Sequence, residues 1–362
     1  MKKRHLFVFN NLVYDLREHK FIEFKHDDYA SITTDYDWIE PTEQQINVID
    51  NIISSIISEK NERQLFLEIL GTGLEGRCLE RFILFSGTGR NGKGLINDLY
   101  LKTLGDYGMI GNNVILFEKN KTGSNPEKNN LHKKRYVVFR EPAKNNKFEN
   151  SIIKELTGGG NFSARGHQES ITQKKTFLTT IVECNDRPLF SEDPQIADLQ
   201  RLIYLQFNST FTENIDEVNH KKNIFLANKK FKDYDFQEEH KRALFYLVSQ
   251  AHKNYHERNY VLDIPMNVKD RSISYFQMSC DILGWVNDNY IRTESKKDII
   301  KIKDMFDIFK YSEYYINLTK NEKRKYNYQY FIKQFAENVF FNNFYKHDMK
   351  KSGHILMFYK SK

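Results

Sequence analysis

The spacing of apolar positions changes character along the chain, and each change predicts a different kind of element. Near the start, Leu6-Phe-Val-Phe9 and Leu12-Val-Tyr14 are short apolar runs split by Asn10-Asn11, which predicts a small hairpin in a strand-rich opening of about 40 residues. From Pro41 the period lengthens: Ile46, Ile49, Ile53 and Ile56 recur at helical spacing, and Thr42 followed by Gln45 has the form of a capping box. Gln64 to Leu70 predicts a second helix, closed by Gly71-Thr-Gly73. Between Arg81 and Phe207 continuous apolar runs at Phe82–Phe85, Tyr136–Phe139, Phe177–Val182 and Leu202–Phe207 alternate with helical stretches, the texture of an α/β layer structure. Residues 208–289 read as mainly helical, including Phe236–Tyr255 and Ser272–Asn287. Beyond them Tyr328, Phe331, Phe335, Val339 and Phe340 share a helical face, and Asn343–Met349 and His354–Tyr359 predict two strands around Lys350-Lys-Ser-Gly353. Four regions follow: 1–80, strands plus a helical collar; 81–207, the α/β core; 208–289, helical; and 290–362, a helix-and-hairpin module.

Composition narrows the class. With 362 residues, 40% hydrophobic, 28 Phe, 21 Tyr and only 6 Pro, the chain is folded and long enough for two or three domains. No apolar run approaches the roughly 20 residues of a membrane span, and the apolar stretch at Leu6–Phe9 is too short for a signal peptide, so no membrane partner and no secretion are expected. Cys78, Cys184 and Cys280 are too widely spaced for a disulfide framework or a CxxC metal site. The net charge of +7 is unevenly placed: from Lys296 onward there are 15 Lys or Arg against 7 Asp or Glu, and the rest of the chain is close to neutral. Such a tail is the footprint of a polyanion-binding module, and equally of a solvated lysine-rich surface. A helix followed by a basic hairpin suggests a winged-helix-like module, with Lys323, Arg324, Lys325, Lys350 and Lys351 as candidate phosphate contacts.

The strongest chemical signal is Gly87-Thr88-Gly89-Arg90-Asn91-Gly92-Lys93-Gly94, set between an apolar strand and a helical run. In that setting the glycines let backbone N–H groups wrap phosphates at a helix N-terminus, and Lys93 reaches the β- and γ-phosphates of a nucleotide such as ATP. Position 94 is Gly where a Mg²⁺-ligating hydroxyl is usual. Glu141 follows the strand Tyr136–Phe139 at its C-terminal end, placed to polarise a water and to help hold Mg²⁺. Asn185 ends a third strand, where it would sense the γ-phosphate, and Arg201 opens a fourth, a position for an arginine finger donated to a neighbouring subunit.

Lys93, Glu141, Asn185 and Arg201 fall in order within 115 residues, and Ile153-Lys-Glu-Leu-Thr-Gly-Gly-Gly-Asn-Phe-Ser-Ala-Arg165 lies between the second and third. Together they resemble the superfamily 3 helicase core of the primase-helicases of poxviruses, other large DNA viruses, phages and plasmids. Asn11-Leu-Val-Tyr-Asp-Leu16 and Leu70-Gly-Thr-Gly-Leu-Glu-Gly76 are similar to further segments of that family, so the resemblance spans nearly the whole chain, strongly from Leu70 to Phe207. It implies a modified AAA+ P-loop core, an ATP-driven DNA helicase that works as a hexameric ring on single-stranded and forked DNA with 3′ to 5′ polarity, and an intracellular viral or mobile-element replication site, cytoplasmic for a large cytoplasmic DNA virus. A primase or polymerase is the implied partner; the family's N-terminal primase is not seen here, so the chain reads as the helicase portion. On this mapping Lys93 binds phosphate, Glu141 is the catalytic acid, Asn185 the sensor and Arg201 the trans-acting finger. A channel hairpin is expected to follow Ala164-Arg165, with His167, Lys174 and Lys175 near DNA. Gly94, Ala143 and Gly160 depart from the family pattern and bear on the metal site. Two other classes stay open: a weakly hydrolysing DNA-binding scaffold or replication initiator, and a small-molecule kinase.

Overall fold

The computed structural model describes residues 3–23, 31–117, 126–143, 146–159, 161–164, 172–175, 177–191, 196–278, 281–338, 340–348 and 353–362. The chain divides into two compact units, residues 1–189 with 201–269, and residues 190–200 with 270–362.

The first unit opens with an antiparallel sheet, β1 (Leu6–Val8), β2 (Val13–Asp15) and β3 (Lys20–Ile22). Helices α1 (Glu43–Ile56) and α2 (Lys60–Glu75) follow. The Thr42 hydroxyl accepts from the Gln45 amide at 3.2 Å and the Gln45 side chain accepts from the Thr42 amide at 2.9 Å, so two donors that the first turn leaves unpaired are satisfied reciprocally. Ile49, Ile52, Ile53 and Ile56 bury one face of α1. The expected closure of the second helix at Gly71-Thr-Gly73 is not what the structure shows: α2 continues to Glu75 and ends at Gly76, whose φ of 64° is left-handed. Gly71 instead permits close approach, since a Cβ there would lie 3.1 Å from the His252 backbone nitrogen, and one at Gly73 would lie 2.9 Å from the Tyr100 hydroxyl.

The central layer runs β4 (Phe82–Ser86), α3 (Lys93–Leu104), β5 (Gly108–Ile110), α4 (Val114–Phe117), α5 (Pro126–Asn130), β6 (Tyr136–Arg140), β7 (Lys147–Phe148), α6 (Asn150–Thr157), β8 (Asn161–Ala164), β9 (Thr172–Lys175), β10 (Thr179–Cys184), β11 (Leu189–Phe190), α7 (Ile196–Arg201) and β12 (Leu202–Gln206). Five strands form one parallel sheet in the order β12-β4-β10-β6-β5. Its inner strands are buried along their length, which is why they read as unbroken apolar runs rather than as alternation. The first strand, β4, lies between the last two, so the loop leaving its C-terminal end opens at a topological switch point, where open α/β sheets bind ligands. The pair β8 and β9 forms a separate antiparallel hairpin.

The stretch from residue 208 was expected to be mainly helical. It starts instead with a parallel pair, β13 (Thr210–Thr212) and β14 (Ile224–Leu226), and three short 3-10 turns, each opened by an asparagine, Asn214, Asn219 or Asn228, whose side chain accepts a backbone N–H of the turn it caps. Then α8 (Tyr234–Glu257) packs on α1, α2 and α3. Its Phe245 sits in an aromatic cluster with Phe7, Phe9, Tyr14 and Trp38, fastening the small N-terminal sheet to the core.

The second unit takes in α7 as far as Gln200 and, from Asp270, the greater part of α9 (Met266–Met278), followed by α10 (Asp281–Asn289), β15 (Tyr290–Arg292), β16 (Ile299–Lys301), α11 (Ile302–Phe309), α12 (Glu313–Ile316), α13 (Lys320–Lys325), α14 (Tyr328–Glu337), β17 (Tyr345–Asp348), β18 (Gly353–Met357) and β19 (Tyr359–Ser361). The sheet order β16-β18-β17 is antiparallel throughout. Phe331 and Phe335 of α14 are buried with Trp285, Phe309 and Leu356, so these aromatics build the core of the unit. Among the described residues no helix is long and apolar enough to cross a membrane.

Candidate functional site

A cavity of about 690 Å³ opens at the C-terminal ends of β4, β6 and β10, and the glycine-rich loop forms its floor. The loop's shape follows from its glycines. Gly92 is the N-cap of α3 with φ 85°, and a Cβ on it would lie 2.6 Å from Ile56 Cγ1. At Gly89 and Gly94 an added Cβ meets nothing within 4 Å, so the loop leaves an open cradle on its outer side. Its back is anchored: the Phe211 amide donates to the Arg90 carbonyl at 2.8 Å, tying the loop to β13.

Lys93 begins α3 and is 3% exposed. Its ammonium donates to the Gly87 carbonyl at 2.8 Å and to Asn185 Oδ1 at 3.0 Å, so the strand-end Asn185 and the loop Lys93 are joined directly. Burial draws the Lys93 pKa below its usual value, opposed by the negative charge of Glu141 and the nearby Cys184 and Glu183. Glu141 lines the same cavity from the end of β6. Its backbone is left-handed, φ 45°, its amide donates to the Glu183 carbonyl at 2.9 Å, and the residue is exposed.

Two carboxylates of the cavity lining, Glu183 and Asp98, and an apolar wall escaped the sequence reading. Glu183, inside β10, is buried; its carboxylate accepts from Asn97 of α3, and Arg140 stands 3.8 Å away. Burial pushes the Glu183 pKa up, while Arg140 and the Asn97 hydrogen bond pull it down. Arg140 also pairs with Asp98 at 2.6 Å, and Asp98 lies four residues after Gly94, on the same side of α3. A charged residue inside an apolar strand was the available signal for Glu183. The other unforeseen part is an apolar wall of Ile52, Phe211, Ala227 and Phe231, the last three drawn from the stretch expected to be helical.

The remaining expected residues are placed as follows. Arg201 ends α7 just before β12, and because Leu202 pairs with Phe82 it sits at the sheet end opposite the loop, outside the cavity. Lys174 and Lys175 belong to β9, whose backbone alone is described; His167, Gly160, Lys350 and Lys351 lie outside the described residues. Lys323 donates to the Ile316 carbonyl at 2.7 Å, Arg324 is exposed, and Lys325 lies at the end of α13.

No protein-family model matches the chain. It is 27% identical over 316 residues to a protein of Acanthamoeba polyphaga mimivirus named "Putative helicase L207/L206", covering 84% of this chain and 32% of that protein. It is 25% identical over 332 residues to "Putative helicase 121R" of Invertebrate iridescent virus 3, covering 86% and 35%, and 24% identical over 231 residues to "Primase D5" of Fowlpox virus, covering 60% and 29%. Homologues of this chain are thus named helicases and a primase of large DNA viruses. The chain spans about a third of the length of these relatives. Among solved structures, the apo NrS-1 C terminal region (305–718) matches with a TM-score of 0.52 at 15% identity, covering 88% of this chain and 77% of that one, a likeness of fold.

The donor set suits a nucleotide with its metal. The cradle offers backbone N–H groups and one ammonium, and Glu141 and Asp98 are carboxylates on the same cavity. Among the described residues no group of three or more His, Cys, Asp or Glu forms a protein-only metal cage. Mg²⁺ is commonly held by one or two carboxylates together with phosphates and water.

Proposed function

We propose that the chain is an ATP-hydrolysing DNA helicase of viral or mobile-element replication, of the superfamily 3 type, working as a hexameric ring on single-stranded and forked DNA. The observation that carries this reading is the Lys93 ammonium held between the Gly87 carbonyl and Asn185 Oδ1 at the floor of a 690 Å³ cavity that Glu141 also lines. With nucleotide bound, Lys93 would transfer its contacts from Gly87 and Asn185 to the phosphates, releasing Asn185 to sense the γ-phosphate. Glu141 would take a proton from the attacking water. Glu141 and Asp98 would hold Mg²⁺ through water, and the ion would neutralise charge building on the phosphates. The apolar wall of Phe211 and Phe231 would receive the base. Arg201, remote from its own cavity, would serve a neighbouring subunit's site. The β8–β9 hairpin, with His167, Lys174 and Lys175, would face DNA in the ring. The order of β16, α11, α14, β17 and β18 supports a winged-helix-like reading of residues 290–362, with Lys323, Arg324, Lys325, Lys350 and Lys351 toward phosphates.

A second reading has its own observation: Gly94 and Ala143 lack the hydroxyl and second acid of the usual site. On that reading the chain binds nucleotide and DNA but turns over slowly. ATP hydrolysis with and without single-stranded DNA, with Lys93→Ala as the blank, decides. DNA-stimulated turnover lost in the variant supports the motor; turnover no higher than the blank, with DNA binding intact, supports the scaffold.

A further inference from the structure

At the opposite end of the sheet from the nucleotide cavity, a cavity of about 340 Å³ and a narrow cleft of about 20 Å³ share a wall of Arg4, Glu75, Gly76 and Phe177. Arg4, Arg17, Arg77, Lys133, Lys134 and Arg135 line the two, against the single carboxylate of Glu75. That carboxylate is engaged by a two-pronged ion pair from Arg77, both contacts 3.1 Å, and none of the other five cations of the lining pairs directly with it among the described residues.

The arginines here are held rather than loose. Arg135 donates to the Leu6 and Leu74 carbonyls and lies over the Tyr107 ring at 4.1 Å. Arg4 lies 3.0 Å from the Phe177 ring centroid, and the one side-chain hydrogen bond it makes among the described residues, to the Gly76 carbonyl, is long at 3.5 Å. A guanidinium has five donors in a rigid fork, so most of those on Arg4 remain for a ligand. Burial and the neighbouring Arg135 pull the Arg4 pKa down to about 10, outweighing the opposing charge of Glu75. His5 Nδ1, in the same lining, is buried with no hydrogen-bond partner among the described residues. Arg17 and Lys133 are exposed and form no ion pair among the described residues.

Location selects among anions. Phe177 lies two positions after the end of β9, so this basic face stands at the foot of the β8–β9 hairpin. A small phosphate would need only one pocket, whereas charge spread over a cavity, a cleft and the rim between them suits a chain of phosphates. We propose that this face binds the phosphodiester backbone of single-stranded nucleic acid, with Arg4, Arg17 and Lys133 in contact with successive phosphates. The site rests on the motor reading above and adds to it a nucleic-acid contact distinct from the hairpin and the C-terminal module.

The test uses the full chain and a fluorescein-labelled dT20, with anisotropy titrations from 50 to 200 mM salt on the wild type, on Arg17→Gln/Lys133→Gln and on Arg4→Gln. Binding of a fluorescent ATP analogue checks that each variant is folded; the double variant changes only exposed side chains. Loss of two phosphate contacts flattens the slope of log K against log salt by about 1.4, so the wild-type advantage shrinks about sevenfold across that range. Equal affinities and slopes for the wild type and the double variant would overturn the site while leaving the motor reading standing. Absence of dT20 binding by the wild type would overturn both. Displacement of dT20 by inorganic tripolyphosphate at equal phosphate concentration would also overturn the proposal, marking the face as a small-anion pocket.

Discussion

Restoring the missing hydroxyl by Gly94→Ser tests the nucleotide site most directly. Gly94 is the second residue of α3, and a Cβ there meets no atom within 4 Å, so the side chain enters without displacing a neighbour. Serine replaces the residue with the greatest backbone freedom inside a helix, which stabilises the fold by about 0.5 kcal/mol. For a unit of this size that is a rise in Tm of about 1 °C. The larger effect is expected on metal dependence. The new oxygen would stand one turn before Asp98 on the same face of α3, adding a protein ligand where only water was available. A gain of about 1.4 kcal/mol, the scale of one good charge-assisted hydrogen bond, is a tenfold fall in the Mg²⁺ concentration at half-maximal ATP hydrolysis. The assay is a Mg²⁺ titration of steady-state hydrolysis at saturating ATP, with thermal unfolding alongside. An unchanged or raised Tm together with an unchanged Mg²⁺ midpoint would refute the reasoning, because the hydroxyl would then point away from the metal.

Three further outcomes follow from the packing. Arg140→Met should destabilise by about 3 kcal/mol in denaturant titration because it strips the buried Glu183 of its counter-charge, and adding Glu183→Gln should recover most of the loss; additive losses would show that the two groups are not coupled. Gly71→Ala should lower stability by about 1 kcal/mol, against the ordinary preference for alanine in helices, because its Cβ would press on the His252 backbone across the α2–α8 contact; a stabilised variant would contradict the close approach. His19 has its pKa lowered to about 4 by burial and by the facing His252, His256 and Lys253, with Asp15 opposing. The unfolded chain therefore takes up a proton near the ordinary histidine pKa that the folded chain refuses, so stability falls as pH drops from about 6.5 to 4. His19→Asn, which tolerates the local φ of 50°, should flatten that fall in a series of thermal melts, and an unchanged pH profile would remove His19 as its source.

What was legible in the residues alone is what is encoded over short range. The capping box at Thr42 and Gln45, the isoleucine face of α1, the apolar strands of the central layer and the loop from Gly87 to Gly94 each depend on neighbours a few positions away, and each is present in the fold. Strand ends were legible for the same reason, and Lys93, Glu141 and Asn185 stand around one cavity because parallel strands present their C-terminal ends together. Local signals also misled where tertiary contacts outweighed them. Gly71 and Gly73 resemble a helix stop, yet packing against α8, Tyr100 and Tyr136 keeps them inside α2. The wall of Ile52, Phe211 and Phe231, the coupling of Glu183 to Arg140 and Asp98, and the basic face around Arg4 join side chains from segments tens to more than a hundred residues apart. No local period encodes such meetings. They are set by strand order and by the burial of α8 on three helices, so only the tertiary structure decides which charges become neighbours and how their pKa values shift.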